Sequence, residues 1–250
     1  MNPFGALASG YAQSRPAVHP LVIERVRARL NNRPFRKALD VGCGSGLSSR
    51  PLAAAAGSVV GIEPAVDMLA WAPSLVPGAN FLAASADSLP FRAAIFDLIT
   101  AAGSLNYVDL DRFFPEAARV LSPGGVLVAY DFLPGRSFPE STALDTWFEE
   151  FTNRYPWPPA EARELNPSLL AAAARGFRLD FADHFEIPLE LSPAFYLDYM
   201  MTETNVAYAC RRGVSEGVIR HWCERTLQSV FGERQRTVLF RGYIAGLSAV

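Results

Sequence analysis

Apolar side chains along this chain fall into short runs that alternate with helical patterns. A leading helix is predicted over 18–30, where apolar residues recur at roughly helical spacing. Runs that are apolar on both faces and separated by helices indicate a parallel sheet covered on both sides. Five such runs predict a doubly wound α/β core, and they span 38–41, 58–62, 80–83, 95–101 and 126–131.

The second half of the chain predicts a cap and two closing strands. A helix over 111–120 is predicted to end at the turn 121–125, which contains a Pro-Gly pair. Aromatic residues and prolines crowd 132–159, a helical stretch covers 193–231, and strands are predicted over 177–187 and 237–248. We expect a mostly parallel seven-stranded sheet in one domain, 1–250, with a core over 34–133 and inserted helical cap segments over 134–176 and 188–235.

Composition limits the partners and the compartment. The 250 residues are half hydrophobic, which suffices for one sizeable core. With 23 Lys+Arg and 25 Asp+Glu the net charge is -2, so no overall positive field favours nucleic acid. Cysteines 43, 210 and 223 lack the spacing of a metal site or a disulfide framework. We expect reduced thiols, a cytoplasmic protein, no metal, and no membrane span or secretion signal.

A glycine-rich loop follows the first predicted strand of the core. Gly42, Gly44 and Gly46 lie between this strand and a helix, and glycine allows sharp bends and close approach of a ligand to the backbone. This arrangement predicts a nucleotide-type pocket at the carboxyl end of the strand. The spacing is G-x-G-x-G, whereas dinucleotide enzymes carry G-x-G-x-x-G. Pro51 predicts that the following helix begins late or kinks.

Three further marks follow at the ends of successive strands. Glu63 ends the second strand, where its carboxylate could accept from both ribose hydroxyls, at about 1.5–3 kcal/mol for each charge-assisted bond. NAD and adenosylmethionine fit this acid equally. Asp87 follows the third strand and could accept from an adenine amino group. Residues 103–107, Gly-Ser-Leu-Asn-Tyr, follow the fourth strand.

These marks in this order resemble the class I S-adenosylmethionine-dependent methyltransferases, over 11–131, within the small-molecule group that includes ubiquinone-biosynthesis and trans-aconitate-type enzymes. The resemblance implies a Rossmann-like fold, S-adenosyl-L-methionine as cofactor with S-adenosyl-L-homocysteine as product, and direct displacement of the methyl group onto a small-molecule acceptor. The cofactor-binding residues that it implies are Tyr11, Arg15, Asp40, Gly42, Cys43, Gly44, Gly46, Glu63, Pro64, Met68, Ala86, Asp87, Ser88, Ala102 and Gly103.

The resemblance also divides these residues among parts of the cofactor. Asp40 and the loop glycines would surround the methionine part, Glu63 the ribose, and Asp87 with Ser88 the adenine. Gly103 would line the sulfonium side. Tyr11 and Arg15 would fold over the cofactor, with Arg15 near its carboxylate.

The acceptor stays open at this stage. Direct displacement chiefly requires alignment of the reacting atoms within about 3–3.5 Å, and a base helps for a hydroxyl or an acidic carbon. Candidate bases are Tyr107, Asp131 and His184. A carboxylate acceptor would instead favour arginines, of which the predicted cap regions carry Arg136, Arg154, Arg211 and Arg212. Trans-aconitate-type relatives often carry His-Trp after the fourth strand, where this chain has Asn106-Tyr107.

Other functional classes remain as alternatives. A nicotinamide-dependent oxidoreductase shares the loop and the distant acid but not the glycine spacing, and a non-catalytic adenosylmethionine-binding protein would share every mark. A nucleic-acid methyltransferase would carry an Asn/Asp-Pro-Pro-aromatic tetrad after the fourth strand, which is absent here. The cap aromatics between Trp147 and Trp157 could form a core or line an acceptor pocket. The oligomeric state is left open between monomer and homodimer.

Overall fold

The computed structural model describes residues 14–159 and 162–250. Within them, seven strands form one sheet with the order β3-β2-β1-β4-β5-β7-β6. The strands are β1 (Phe35–Val41), β2 (Ala56–Ile62), β3 (Asn80–Leu82), β4 (Phe96–Ala102), β5 (Leu121–Phe132), β6 (Phe177–Leu191) and β7 (Arg236–Ala249). Each predicted apolar run corresponds to one of these strands.

Ten α-helices join the strands in the described part of the chain. They are α1 (Val18–Arg29), α2 (Ser49–Ala53), α3 (Val66–Leu69), α4 (Ala72–Leu75), α5 (Leu110–Val120), α6 (Ala143–Arg154), α7 (Pro167–Ala173), α8 (Pro193–Met200), α9 (Thr204–Arg211) and α10 (Glu216–Phe231). A 3-10 turn, Ser104–Tyr107, lies between β4 and α5. The helices predicted over 18–30 and 111–120 are confirmed within one residue at each end.

Strand direction explains where a ligand can bind. β1 pairs in parallel with β2 and β4, β2 with β3, and β4 with β5, whereas β7 runs antiparallel to β5. The chain moves outward from β1 to β3 and then returns to the other side of β1 with β4. Such a reversal leaves a crevice outside the carboxyl ends of the two central strands. The predicted Rossmann-like, mostly parallel seven-stranded fold is confirmed.

The core lies on the central strands because their side chains are apolar on both faces. Leu39, Ile99 and Leu127 are completely buried on β1, β4 and β5. Helix α5 adds Phe113 and Phe114 to the same cluster, which places its apolar stripe on the sheet. This packing holds the strand ends that carry the polar residues described below.

Two local features differ from the simplest expectation. The predicted turn 121–125 is part of β5, where pairing shifts from Phe96 opposite Leu121 to Leu98 opposite Val126. Helix α2 begins late and spans only five residues. Pro51 occupies its third position, within the first turn, where a missing N–H removes no helical hydrogen bond.

The described chain folds into two compact units. The first comprises 14–16, 133–159 and 186–241, and the second comprises 17–132, 162–185 and 242–250. Residues 162–176, which we expected in the cap, therefore belong to the second unit, with the cofactor-binding core. None of the helices in the described ranges is long and apolar enough to cross a membrane.

Candidate active site

The glycine loop between β1 and α2 has left-handed backbone at three positions. The φ angles of Gly42, Gly44 and Gly46 are 70°, 54° and 95°. A Cβ added to Gly42 would lie 2.3 Å from the Cβ of Ser104, so packing requires glycine there. At Gly44 the only described atom within 4 Å of such a Cβ is Cε of Met68, at 3.5 Å. The loop therefore leaves open space beside Gly44, where a ligand can approach the backbone.

Asp40, on β1, is completely buried beneath this loop. Its Oδ2 accepts hydrogen bonds of 2.6 Å from Ser48 and from Ser49, and its Oδ1 accepts one of 3.0 Å from Thr100. Burial raises the pKa of Asp40, and the three hydroxyl donors oppose that rise. Asp40 thus ties β1 to β4 and to the residues after the loop. Its carboxylate has no accessible surface with which to touch a cofactor, so it positions the loop instead.

Glu63 follows β2 and joins the loop to the next segment. Its Oε2 accepts from the backbone N–H of Gly44 at 3.2 Å, and its Oε1 accepts from that of Ala65 at 2.9 Å. Burial raises the pKa of this carboxyl. A carboxylate offers about four acceptor sites, so each oxygen can still accept one more hydrogen bond. Two ribose hydroxyls match that remaining capacity.

Two buried oxygen atoms at this end of the sheet lack partners among the described residues. They are Oδ1 of Asp87, after β3, and Oγ of Ser45, inside the glycine loop. Buried polar atoms normally find a hydrogen-bond partner, and a donor on a bound ligand is one way to supply it. Asp87 was predicted to accept from an adenine amino group. The unpartnered oxygen suits that role.

The ends of β4 and β5 meet beside the loop. Gly103, with φ of 66°, donates its N–H to the carbonyl of Tyr130 at 2.8 Å. Asn106 donates its amide to Oδ2 of Asp131 at 2.8 Å, and a Cβ added to Gly103 would lie 2.9 Å from Oδ1 of the same carboxylate. Burial raises the pKa of Asp131. Of the three candidate bases, Asp131 is the one whose carboxylate lies beside Gly103, just after β4.

Comparisons with known proteins agree with this arrangement. Residues 39–129 match the family described as a methyltransferase domain. The chain is 30% identical over 180 residues to a malonyl-[acyl-carrier protein] O-methyltransferase of Enterobacter lignolyticus, covering 72% of this chain and 68% of that protein. The chain belongs to the class I S-adenosylmethionine-dependent methyltransferases. This confirms the family named from the sequence, whose cofactor is S-adenosylmethionine.

A second curated relative and a solved structure are also similar to this chain. The chain is 32% identical over 154 residues to a demethylmenaquinone methyltransferase of Streptomyces griseus, covering 61% of this chain and 65% of the relative. The chain therefore spans just under two thirds of that relative. A solved structure from Anaeromyxobacter dehalogenans, described as a type II methyltransferase, superposes with a TM-score of 0.68 at 25% identity, covering 90% of this chain and 95% of the other.

The remaining predicted cofactor residues differ in exposure. Met68 and Ala86 are buried, Ala102 is half-buried, and Pro64 and Ser88 are exposed. Cys43 is buried, and burial raises the pKa of its thiol, which suits a small filler between the glycines and not a nucleophile. These assignments stay predictions.

The N-terminal arm is only partly within the described residues. Tyr11 lies outside them. Arg15 contacts other residues of the first unit, to which it belongs. Its Nη1 lies 2.8 Å from Oε1 of Glu203, and its Nη2 donates to the carbonyl of Thr202. Its guanidinium lies over the ring of Tyr199. Its predicted place at the cofactor carboxylate stays a prediction.

The other two candidate bases, Tyr107 and His184, are exposed. The side chain of Tyr107 is 68% exposed on the turn after β4, beside Asn106. His184 is exposed on β6, the edge strand of the sheet and the fourth strand from β1 in the sheet order. At about 4.8 Å between neighbouring strands, this separation is about 19 Å. The structure does not bring His184 together with the ends of β1 and β4.

The cap aromatics form a core within the first unit. Trp147 stacks on Phe151 and on Trp222, and its indole N–H donates to Thr226 at 2.8 Å. Trp147, Phe151 and Tyr155 are all buried, whereas Trp157 is 40% exposed. The four cap arginines lie over rings of the same unit: Arg136 over Phe148, Arg154 over Tyr155 and Trp222, and Arg211 and Arg212 over Tyr208.

Several residues of the site escaped prediction from sequence. Ser48, Ser49 and Thr100 became relevant only when the fold brought them to Asp40. Asn106 and Ser45 stand inside motifs that we singled out, but polarity alone does not distinguish them from surface residues. The position of Asn106 four residues beyond β4, where a neighbouring strand also ends in an acid, was the available signal.

Proposed function

We propose that this protein transfers the methyl group of S-adenosylmethionine to a small-molecule acceptor. The observation that carries the proposal is Glu63, whose carboxylate holds the glycine loop and the start of the next segment while keeping one acceptor position on each oxygen. Glu63 follows β2, the neighbour of β1 in the sheet, and accepts a hydrogen bond from the loop that follows β1. Family membership supplies the cofactor, which brings a methyl group already activated on sulfur.

The residues of the second unit fit that cofactor on their own chemistry. Glu63 would hold the ribose hydroxyls, Oδ1 of Asp87 the adenine amino group, and the open side of Gly44 would admit the methionine part. Asp40 would keep the loop in place from below. These side chains bind and orient, and the displacement itself needs little more than alignment.

The proposal also covers the acceptor and the cellular compartment. The demethylmenaquinone and malonyl-[acyl-carrier protein] methyltransferases named above act on different acceptors, so likeness alone does not choose between them. We infer a cytoplasmic location from the free thiols of Cys43, Cys210 and Cys223, which fit a reducing compartment.

Isothermal titration with S-adenosylhomocysteine, run beside NADH and NADPH, tests the cofactor assignment. We expect micromolar binding of S-adenosylhomocysteine and none of the nicotinamides. The variant Glu63→Ala should bind at least tenfold more weakly, because two charge-assisted bonds are lost, whereas Glu149→Ala, at an exposed position on α6, should bind normally. Binding of a nicotinamide alone, or full affinity in Glu63→Ala, contradicts the assignment.

Methyl transfer distinguishes an enzyme from a protein that binds S-adenosylmethionine without catalysis. Methyl transfer from labelled S-adenosylmethionine to any small-molecule probe establishes the enzyme. Tight cofactor binding with no transfer to a broad acceptor panel favours the non-catalytic alternative.

A further inference from the structure

The carboxylate of Asp131 is held in one orientation at the carboxyl end of β5. Its Oδ1 accepts from the N–H of Phe132 at 2.8 Å, and its Oδ2 accepts from the side-chain amide of Asn106 at 2.8 Å. Oδ1 faces the bare Cα of Gly103, where an added Cβ would lie 2.9 Å away. Any larger residue at 103 would displace this carboxylate. The ends of β4 and β5 and the turn after β4 therefore fix the position of this carboxylate.

The carboxylate keeps acceptor capacity despite these two bonds. Of about four acceptor sites on a carboxylate, the two donors occupy one on each oxygen. Asp131 is half-buried, so its surface is partly accessible. The remaining acceptor sites belong to a group whose orientation is already fixed.

The charges around Asp131 favour uptake of a proton. Burial raises its pKa, the carboxylate of Glu164 raises it further, and the two hydrogen bonds oppose the rise. Tyr243, opposite Asp131 on β7, has its own pKa raised by burial and by Asp131. Tyr130 is buried with its hydroxyl 2.9 Å from Nδ1 of His19. Arg163 donates its backbone N–H to the carbonyl of Asn106 at 3.0 Å and its Nη2 to the carbonyl of Val108.

We propose that Asp131, held by Asn106, is the catalytic base of this site and that the acceptor is a neutral molecule with a weakly acidic hydroxyl or carbon, of the phenol or enol class. The inference rests on the proposed function. The carboxyl groups of Asp131 and Glu164 interact electrostatically, and a further carboxylate beside them would be repelled, which disfavours a carboxylate acceptor. The cap arginines named as candidates for such an acceptor lie over aromatic rings of their own unit.

The proton and the electrons balance in the proposed step. The O–H or C–H bond of the acceptor breaks, and its proton passes to a carboxylate oxygen of Asp131. The electron pair left on that oxygen or carbon forms the bond to the methyl carbon. The bond between this carbon and sulfur breaks at the same time, its electron pair stays on sulfur, and a neutral thioether leaves.

Three variants and four acceptor probes test this inference. The variants are Asp131→Asn, Asn106→Ala and the exposed control Asp111→Asn on α5. The probes are 1,4-dihydroxynaphthalene, acetylacetone, benzoate and benzylamine, each assayed with labelled S-adenosylmethionine from pH 5 to 9. Binding of S-adenosylhomocysteine is measured for each variant. The aspartate carboxyls are labelled with carbon-13, so that the titration of Asp131 is followed by NMR without turnover.

We expect methylation of dihydroxynaphthalene or acetylacetone, with a rate that falls as Asp131 takes up its proton. Asp131→Asn should lower kcat by about 100-fold or more and remove that acid limb, with S-adenosylhomocysteine affinity within twofold of the unchanged chain. Asn106→Ala should lower kcat with little change in KM. It should also move both the acid limb and the NMR titration of Asp131 to higher pH, because a bond that stabilises the charged form is lost.

Three results would overturn the inference. They are transfer to benzoate or benzylamine alone, an Asp131→Asn variant as fast as Asp111→Asn, and cofactor binding without transfer to either acidic probe. Failure of the unchanged chain to bind S-adenosylhomocysteine contradicts the proposed function itself, and titration separates that result from the other three.

Discussion

Gly42 illustrates how one residue position couples the cofactor loop to the turn after β4. Its φ is positive, and Ser104 occupies the space that a side chain would need. The Oγ of Ser104 donates to the carbonyl of Val41 at 2.6 Å, so this residue cannot easily move away. The two strand ends therefore constrain each other through a contact that only glycine allows.

We predict that Gly42→Ala destabilises the fold more than Gly124→Ala. The two glycines have nearly equal φ, 70° and 74°, but no described atom lies within 4 Å of a Cβ at Gly124. The cost of placing alanine at a positive φ is therefore nearly the same at both positions. The difference between the two losses in free energy of unfolding measures the clash with Ser104, which we expect to be about 1–3 kcal/mol. Urea unfolding of both variants measures it. Equal losses would show that Ser104 yields freely.

For single residues, the sequence indicates candidate site residues more readily than it indicates their contacts. Gly42, Glu63 and Asp87 were predicted as site residues because a glycine loop and successive acids after strands form a spaced pattern. Asp40 was expected to surround the methionine part with the loop glycines, whereas it is completely buried below the loop, where two nearby serine hydroxyls and the hydroxyl of Thr100, 60 residues away, converge on it. Hydrogen-bond partners of this kind depend on strand order, which spacing along the chain does not encode.

Elements were more predictable than single contacts because apolar periodicity reflects burial directly. The five core runs and both closing strands were found, since each is buried or alternates along its length. Residues 121–125 were predicted as a turn because their Pro-Gly pair is typical of turns. In the structure they belong to β5, and the register of its pairing with β4 shifts between Phe96 and Leu98. Residues 162–176 were predicted as cap, whereas their contacts group them with the second unit, because local composition does not show which unit a segment packs on.

Helix α7 depends on a side chain at its N-terminus. Asn166 accepts from the N–H of Leu169 at 2.9 Å and precedes Pro167 at the first helical position. We predict that Asn166→Ala lowers the free energy of unfolding by about 1 kcal/mol, while Asn166→Asp, an equally good cap, keeps it. Thermal and urea unfolding of the two variants check this expectation, and an equal loss in both would rule out capping as the cause.

The edge strand β6 yields a prediction about His184. This residue is exposed on a strand whose outward positions also carry Arg178, Asp180, Glu186 and Glu190, charges that discourage pairing with another sheet. We expect His184→Ala to keep S-adenosylhomocysteine affinity and kcat within twofold. A tenfold loss of kcat at unchanged stability would return His184 to the list of bases.

The whole molecule buries several carboxyls whose pKa values are raised. They are Asp40, Glu63, Asp131 and Glu203. Their unfolded values are about 3.9 for Asp and about 4.3 for Glu, so the folded chain binds more protons above that range. Stability then falls as pH rises through the folded pKa values. The lowered pKa values of Glu116, Glu140 and Asp183 act in the opposite sense, but only below about pH 4.

We therefore predict that the free energy of unfolding increases as pH is lowered from 7 through the folded pKa values of these carboxyls, toward their unfolded values of about 4. Urea unfolding at pH 5, 6 and 7 measures this change. Asp40→Asn should reduce the slope, because the fully buried acid no longer titrates, and the exposed control Asp111→Asn should keep it. A stability that falls steadily from pH 7 to 5 would contradict the prediction.

The pairing of β5 with β7 has a consequence for how the protein is made. Asp131 lies opposite Tyr243, and a Cβ on Gly242 would come within 2.1 Å of the carbonyl of Asp131. The strand that flanks this acid is the last of the seven to leave the ribosome, long after the glycine loop. A nascent chain can thus assemble the loop end of the crevice early, yet the surroundings of Asp131 are complete only when synthesis of the sheet is finished.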